Sequence, residues 1–501
     1  VSAPIAPVPG AAAGRRFTTR HALLALAGLA ALRLAWWLLA PPNSDEAYYW
    51  LWGRHPALSY LDHPPLHAWL QAAVHALAGT SRFALRLAPA VTSVATGLVV
   101  LRLGRRLAPE DAGAGPAALV AFFASPLLLM LTGFAWQDHL LVLFGLSGLV
   151  LALEALDEVA RGGRGRTVHL LGAGLCLGLA GLAKYSAILL AAALVAMVLA
   201  DPRLRRLLAD PRAWLAAALA LAVVSPVLLW NAARGGASFR FHLVERVAGS
   251  GAVHLNPAGP VRFLLPLLLA AGPFGLWAAL RPAAPPAPGS FAALHRRLAL
   301  WALAVPTLFF LALSTVTSAL YYWDVVGLLL LLPAAAAAGR PRLLAAHAVA
   351  GLAAAAVMTA HATVLPLTAL VPGVQDDDSR MTWGFDRLAG EVRRHQGGRA
   401  AGFVATSDYR SAASLAFALD ADDVVALSRR RSQFDEWLDP ALAGLDAVVV
   451  VEDREPMTPW LAARFEAVRP LGAVDAVRLG VPVKRYQLWL GERFRAGVRG
   501  R

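Results

Sequence analysis

Apolar runs of about 20 residues recur through the first three quarters of this chain, separated by short segments rich in arginine and proline. A run of that length, wound as a helix, crosses a hydrocarbon core of about 30 Å. The pattern predicts eleven spans, near 21–41, 83–101, 116–134, 139–156, 168–183, 185–200, 213–230, 262–280, 298–314, 322–338 and 343–370. Between the first two lies a loop, 42–82, whose end (Leu66–Ala78) reads as a short amphipathic helix on the membrane surface. Pro64-Pro65 fixes the turn before it. Past Pro372 the pattern changes. Short apolar strands (Gly402–Ala405, Val424–Leu427, Ala447–Val451, Gln487–Leu490) alternate with helical stretches (Thr382–Arg394, Ser411–Leu419, Pro459–Ala467). That alternation predicts a small α/β domain. The expected architecture is a polytopic α-helical membrane protein with a small C-terminal soluble α/β domain. Its parts are a disordered tail (1–20), a transmembrane domain (21–372) and a soluble domain (373–501).

Composition supports the membrane reading. The 501 residues are 58% hydrophobic and only 16% charged, whereas soluble domains are about a quarter charged. The net charge of +14 does not indicate a nucleic-acid partner, because the arginines sit in short loops between spans. Five alternate connections, at 102–115, 157–166, 201–212, 281–297 and 339–342, each carry two or more arginines. Such loops face the cytoplasm. This asymmetry puts the N-terminus inside and the 42–82 loop outside, and an odd number of spans puts the soluble domain outside too. Arg33 and Trp36-Trp37 mark the first run as an uncleaved span rather than a removed leader. Cys176 is the single cysteine, so no disulfide forms within the chain.

The candidate chemistry gathers in the outward loops. The first carries Asp45, Glu46, Tyr48, His55, Asp62, His63 and His67. The next carry Gln137, Asp138 and His139, then Lys184 and Tyr185. A long loop carries Arg234, Arg240, His242, Glu245 and Arg246, and the last carries Tyr321, Tyr322, Trp323 and Asp324. Ionisable groups at span ends are costly to bury, so their clustering on one side marks a site. Carboxylates at the outer surface, with Lys and Arg nearby, suit transfer from a phosphorylated lipid. The cations stabilise charge on the departing phosphate, and a carboxylate removes or orients the acceptor proton. Other readings of the same residues stand beside this one. Asp45-Glu46 could cap a helix, Asp138 could solvate a span end, Lys184 could be a snorkelling anchor, and Tyr321–Trp323 could be an interfacial belt. A divalent metal held by Asp45, His55, His63 and His67 is a further alternative, although no spacing there matches a strong ligand signature.

At these residues the sequence resembles a known family. SDEAYYW (44–50), SYLDHPPLHAWL (59–70), WQDHLL (136–141), GLAKYSAILL (181–190) and SPVLLWN (225–231) are similar to the bacterial branch of the polyprenyl-phosphate-sugar glycosyltransferases. These are the GT-C fold enzymes resembling dolichyl-phosphate-mannose-protein mannosyltransferases, and they include lipid A aminoarabinose and galacturonosyl transferases. SDYRSAASLAFAL (407–419) and RSQFDEW (431–437) continue the likeness into the soluble part. The resemblance implies that Asp45 is the catalytic carboxylate, with Glu46 and Asp138 positioning sugar or acceptor. His63 stands where the aminoarabinose transferases carry a phosphate-binding lysine. Lys184, Arg234, Arg240 and Arg246, with His63, are then the candidates to hold the donor phosphate. Tyr48, Asp62, His139, Tyr321 and Tyr322 are the expected substrate contacts.

The reading that follows is a bacterial inner-membrane glycosyltransferase. It would move a single sugar from a polyprenyl-monophosphate donor to a periplasmic acceptor (lipid A, another glycan or a protein), with inversion and no nucleic-acid partner. Two alternatives are a glycan ligase or polymerase with a diphosphate-linked donor, and a flippase or transporter. A transporter predicts charges at mid-span paired across internal repeats; here they sit at span ends.

Overall fold

A computed structural model describes residues 17–245, 255–371, 382–397, 402–453 and 455–496. Most of the expected N-terminal tail, the boundary near 372, the acidic run 376–378 and Arg246 lie outside the described residues.

Among the described residues, six helices are long and apolar enough to cross a membrane. They are α1 (Thr19–Leu39), α4 (Arg82–Leu107), α7 (Asp138–Ala160), α10 (Pro211–Ala233), α14 (Phe291–Ser314) and α15 (Pro341–Thr363). A seventh candidate is the pair α12 (Gly259–Ala271) and α13 (Pro273–Leu280), bent by 87°. Gly272 makes the bend, with φ at +92° and Pro273 opening the next helix. Shorter apolar helices are α5 (Ala114–Phe123), α8 (Thr167–Ala183) and α9 (Ala187–Ala200). The predicted span 116–134 is broken: α5 stops, and Pro126 starts α6 (Pro126–Leu131) after a Ser125 cap. The predicted span 322–338 is not α-helical. It runs as two 3₁₀ segments, Tyr321–Leu328 and Leu332–Ala337. Val325–Leu332 are buried all round, as an apolar run without a polar face requires.

Small residues decide how closely the helices pack. A Cβ on Gly174 would lie 2.3 Å from the Ala216 carbonyl, and one on Gly178 would lie 2.9 Å from the Ala220 backbone. The Gly174–Gly178 face of α8 therefore lies directly on α10, the small-xxx-small arrangement of membrane helices.

The two ends of the bundle differ. At one end arginines pair with carboxylates at helix termini: Arg161 with Asp157 (3.0 Å), Arg297 with Asp201 (2.7 Å) and Arg212 with Asp210 (2.6 Å). The opposite end carries two helices from the 42–82 loop. These are α2 (Ser44–Arg54) and α3 (Leu66–Ala78), the latter with the predicted limits.

The soluble domain covers that second end. Its five-stranded sheet has the order β2-β1-β3-β5-β4, with β1 (Phe403–Thr406), β2 (Val425–Ala426) and β3 (Ala447–Glu452) parallel. β4 (Ala467–Arg478) and β5 (Val481–Glu492) add an antiparallel hairpin. Helices α16 (Phe385–Gly397) and α17 (Tyr409–Leu419) flank the sheet. The helix predicted at Pro459–Ala467 shrinks to Pro459–Ala462, and β4, absent from the sequence reading, follows it. The domain shares one apolar core with α2: Tyr48, Trp50 and Trp52 pack with Tyr409, Ala412, Leu415 and Phe434.

Gly174→Ala should force α8 off α10 and destabilise the bundle by about 1–3 kcal/mol. Gly97→Ala, whose added methyl meets only Phe123 and Leu119 at 3.6 Å or more, should be nearly neutral. Thermal unfolding of the detergent-purified variants measures both.

Candidate active site

The site is built on the start of α2. Asn43 caps this helix by accepting the Asp45 N–H (2.9 Å), and the Asn43 N–H donates back to Glu46 Oε2 (2.9 Å). This capping box sends the two adjacent acids in different directions. Glu46 turns inward and is fully buried. Arg86 of α4 clamps it, Nη2 donating to Oε2 at 2.6 Å and Nε to Oε1 at 3.0 Å. The Ala135 N–H donates to the same Oε1. The rest of the guanidinium donates to the Ala40 and Pro41 carbonyls, at 2.9 and 3.0 Å, just past the end of α1. Asp45 stays partly exposed and faces open space.

That space consists of two adjoining cavities. A polar one, of about 1,050 Å³, is lined by Asp45, Tyr48, Tyr49, Asp62, His63, Gln137, Asp138 and Lys184 from the membrane domain. Arg410, Arg429, Arg430 and Arg431 of the soluble domain complete it. The second, of about 710 Å³, is mostly apolar. It runs between α1, α6 and α15 past Leu32, Trp36, Leu129, Met130, Phe134 and Met358. Asp45, Trp136, Leu320, Tyr322 and Arg410 line both.

Within the polar cavity, Lys184 Nζ donates to both Asp138 oxygens, at 2.7 and 2.9 Å, and stands over the Tyr322 ring. Asp62 accepts the Tyr48 hydroxyl (3.0 Å) and lies 3.6 Å from Arg430. Its carbonyl contacts His242 Nε2 at 2.7 Å. Burial pushes the Tyr48 and Tyr49 phenols well above their usual range, helped by the nearby carboxylates. Both stay neutral and act as hydrogen-bonding groups.

Several expected residues take other places. Glu46 faces the protein core and lines neither cavity, which corrects its expected contact with sugar or acceptor. His139 is buried behind the cavity in a chain running from His67 Nδ1 (3.1 Å) through His139 to the Thr92 hydroxyl (2.8 Å). Its expected substrate contact is likewise corrected. Arg234 and Arg240 are exposed and line neither cavity; Arg234 lies over Trp230 instead. Tyr321 lines the apolar cavity alone. Among the described residues no group of three or more His, Cys, Asp or Glu is gathered to hold a metal. His55 stacks on Trp437, with ring centroids 4.5 Å apart, and His67 is taken up by His139.

The sequence reading missed Arg86 and the soluble-domain arginines. Arg86 was legible as an ionisable residue inside a predicted span. Arg429–Arg431 were legible as three consecutive arginines.

The bundle of membrane helices, carrying its acidic surface helix beneath a small α/β domain, has a GT-C-like fold. The motif resemblance holds: residues 62–230 match the dolichyl-phosphate-mannose-protein mannosyltransferase family. The chain is 29% identical over 190 residues to the lipid A galacturonosyltransferase RgtD of Rhizobium johnstonii, a match covering 37% of this chain. The chain thereby spans only 38% of the length of that curated relative. The fold is similar to crystal structures of ArnT from Cupriavidus metallidurans at 15% identity. The TM-score is 0.60 for the apo state, covering 94% of this chain and 98% of that one. It is 0.62 for the form bound to undecaprenyl phosphate, covering 96% and 99%.

Removing one partner of the clamp leaves the other charge buried and unpaired, which costs about 3–5 kcal/mol. Arg86→Ala should lower the apparent Tm far more than the double change Glu46→Gln/Arg86→Met, which removes both charges. A second expectation concerns pH. Burial lowers the His67 imidazole to about 3, a backbone hydrogen bond at Ala135 opposing it. The unfolded chain binds that proton near pH 6.5. Stability from neutral His67 is complete above about pH 6.5 and is lost progressively as pH falls toward 3. His67→Gln should flatten the fall in apparent Tm over that interval.

Proposed function

We propose that this protein is a membrane glycosyltransferase that moves one sugar from a polyprenyl-monophosphate donor to a hydroxyl or phosphate on a periplasmic acceptor. The observation that carries the reading is the position of Asp45, on the wall of both the apolar and the polar cavity. The apolar cavity suits a polyprenyl chain entering sideways from the membrane. The polar one suits sugar and acceptor, and the reacting bond lies where they meet. The undecaprenyl phosphate bound to ArnT, which shares the fold, supports a lipid-linked donor. The lipid A named for RgtD supports a glycolipid acceptor.

Asp45 accepts the proton of the acceptor group as its oxygen attacks the anomeric carbon. The bond from that carbon to the phosphate oxygen breaks, and the polyprenyl monophosphate leaves with the electron pair. Direct displacement inverts the anomeric centre and needs no enzyme nucleophile. Arg410, present in both cavities, stabilises the departing phosphate, with Lys184 beside it. Lys184 is shared with Asp138, so phosphate and carboxylate compete for one ammonium group, and Asp138 turns toward sugar hydroxyls when the phosphate arrives. The arginine-rich end of the bundle faces the cytoplasm by the positive-inside rule, which puts the cavities and the soluble domain in the periplasm.

Comparative mass spectrometry of lipid A, polyprenyl-phosphate sugars and surface glycans tests this reading in cells with the intact gene, a deletion and the Asp45→Asn allele. One glycan should lose a single sugar in both mutants while the matching polyprenyl-phosphate sugar accumulates. Accumulation of diphosphate-linked oligosaccharides would replace this reading with a ligase. Lys184→Ala should raise the KM for donor at least tenfold, whereas an anchoring role would change only the yield of protein.

A further inference from the structure

The polar cavity has one wall that the transfer just described does not use. The loop after β2, Ser428–Gln433, leaves the carboxyl end of the parallel strands, where α/β sheets bind ligands, and it points three successive arginines at the cavity. The loop is held in place. Gln433 Oε1 accepts the Leu61 N–H (2.9 Å), and the Gln433 N–H donates to the Tyr48 hydroxyl (2.8 Å). The Ser432 N–H donates to Asp435 (2.8 Å), and the Arg430 N–H donates to Ser428 Oγ (3.2 Å).

The three arginines are not equivalent. Arg430 is matched by Asp62 at 3.6 Å, and Arg431 by Glu245 and Glu436, each at 3.3 Å. The pairs with Asp62 and Glu245 dock the soluble domain on the membrane part, and the pair with Glu436 lies within the soluble domain. Arg429 is exposed, lies over the Trp460 ring at 5.6 Å, and among the described residues has no ion pair. Docking therefore does not explain it. The loop lines the polar cavity and not the apolar one, and it forms the soluble-domain wall of that cavity, whereas Lys184 belongs to the membrane-domain wall.

We propose that Arg429 is an anion subsite for a phosphate carried by the acceptor, so that the soluble domain selects phosphorylated glycolipids. This rests on the glycosyltransferase reading above. A planar guanidinium held by its ring contact offers a two-point match to a phosphate. Because its loop is already ordered, little conformational freedom is lost on binding.

The test uses the full chain in nanodiscs and three probes: bisphosphorylated lipid A, the same lipid A after phosphatase treatment, and undecaprenyl phosphate. Wild type should bind phosphorylated lipid A at least tenfold more tightly than the dephosphorylated form. Arg429→Gln should remove most of that preference, Arg429→Lys should restore part of it, and undecaprenyl phosphate should bind all three proteins alike. Among the described residues Arg429 makes no docking ion pair, so its variants leave the seating of the soluble domain in place. Equal wild-type affinity for the two lipid A forms would overturn the subsite. So would wild-type behaviour of Arg429→Gln, or an equal loss of lipid A and undecaprenyl phosphate. Wild type that prefers phosphorylated lipid A but ignores undecaprenyl phosphate would remove the donor reading while leaving the subsite standing.

Discussion

The buried pair of Glu46 and Arg86 is the constraint on which the site depends. One guanidinium joins the last turn of α1, the first turn of α2 and its own helix, α4, while the carboxylate also takes the Ala135 N–H ahead of α7. Four separate segments are thus fixed to a single ion pair. Its neighbours satisfy the remaining hydrogen-bonding capacity on both sides, which is the condition for two charges to be tolerated in a dry interior. The adjacent Asp45 lies on the same first turn of α2. With Glu46 clamped inward, Asp45 is left on the wall of both cavities.

The second requirement is that membrane and soluble parts share one core. Tyr48 lies against Trp52, Tyr409 and Phe434, while its hydroxyl bridges Asp62 and the Gln433 N–H. The floor of the cavity and its roof are therefore packed together. This differs from a lid on a flexible linker: the arginine-bearing loop is held by Tyr48, a residue of the same helix that carries Asp45.

The helical membrane architecture was legible because apolar length and arginine asymmetry are strong signals. So was the surface helix Leu66–Ala78, because its two prolines and its amphipathic pattern agree. The 3₁₀ course of Tyr321–Ala337 was not legible, since hydropathy records burial and not winding. β4 was missed because it is an edge strand that is largely exposed, with Pro470 and Gly472 interrupting its pattern. At the site, reading Asp45, Asp138 and Lys184 from loop chemistry brought together groups that the fold does place at one cavity. The same logic put Glu46 and His139 there too. Adjacent residues in a helix turn about 100° apart, so a pair such as Asp45-Glu46 or Asp138-His139 can share a loop and still face different surroundings. Arg234 and Arg240 failed for another reason. Proximity in sequence to an outer loop says nothing about which way a long side chain leaves the protein.

The shared core has a consequence for how the chain is made. The Tyr48 hydroxyl meets the Gln433 amide across 385 residues. At about 5–20 residues per second, synthesis needs about 20–80 s to supply that partner. Through this interval the aromatic face of α2 lacks its partners Tyr409 and Phe434 of the soluble domain. Tyr and Trp rings partition into the headgroup region, and the bilayer surface gives that face a temporary seat. The lipid that later serves as solvent for the finished protein thus first takes the place of its missing domain.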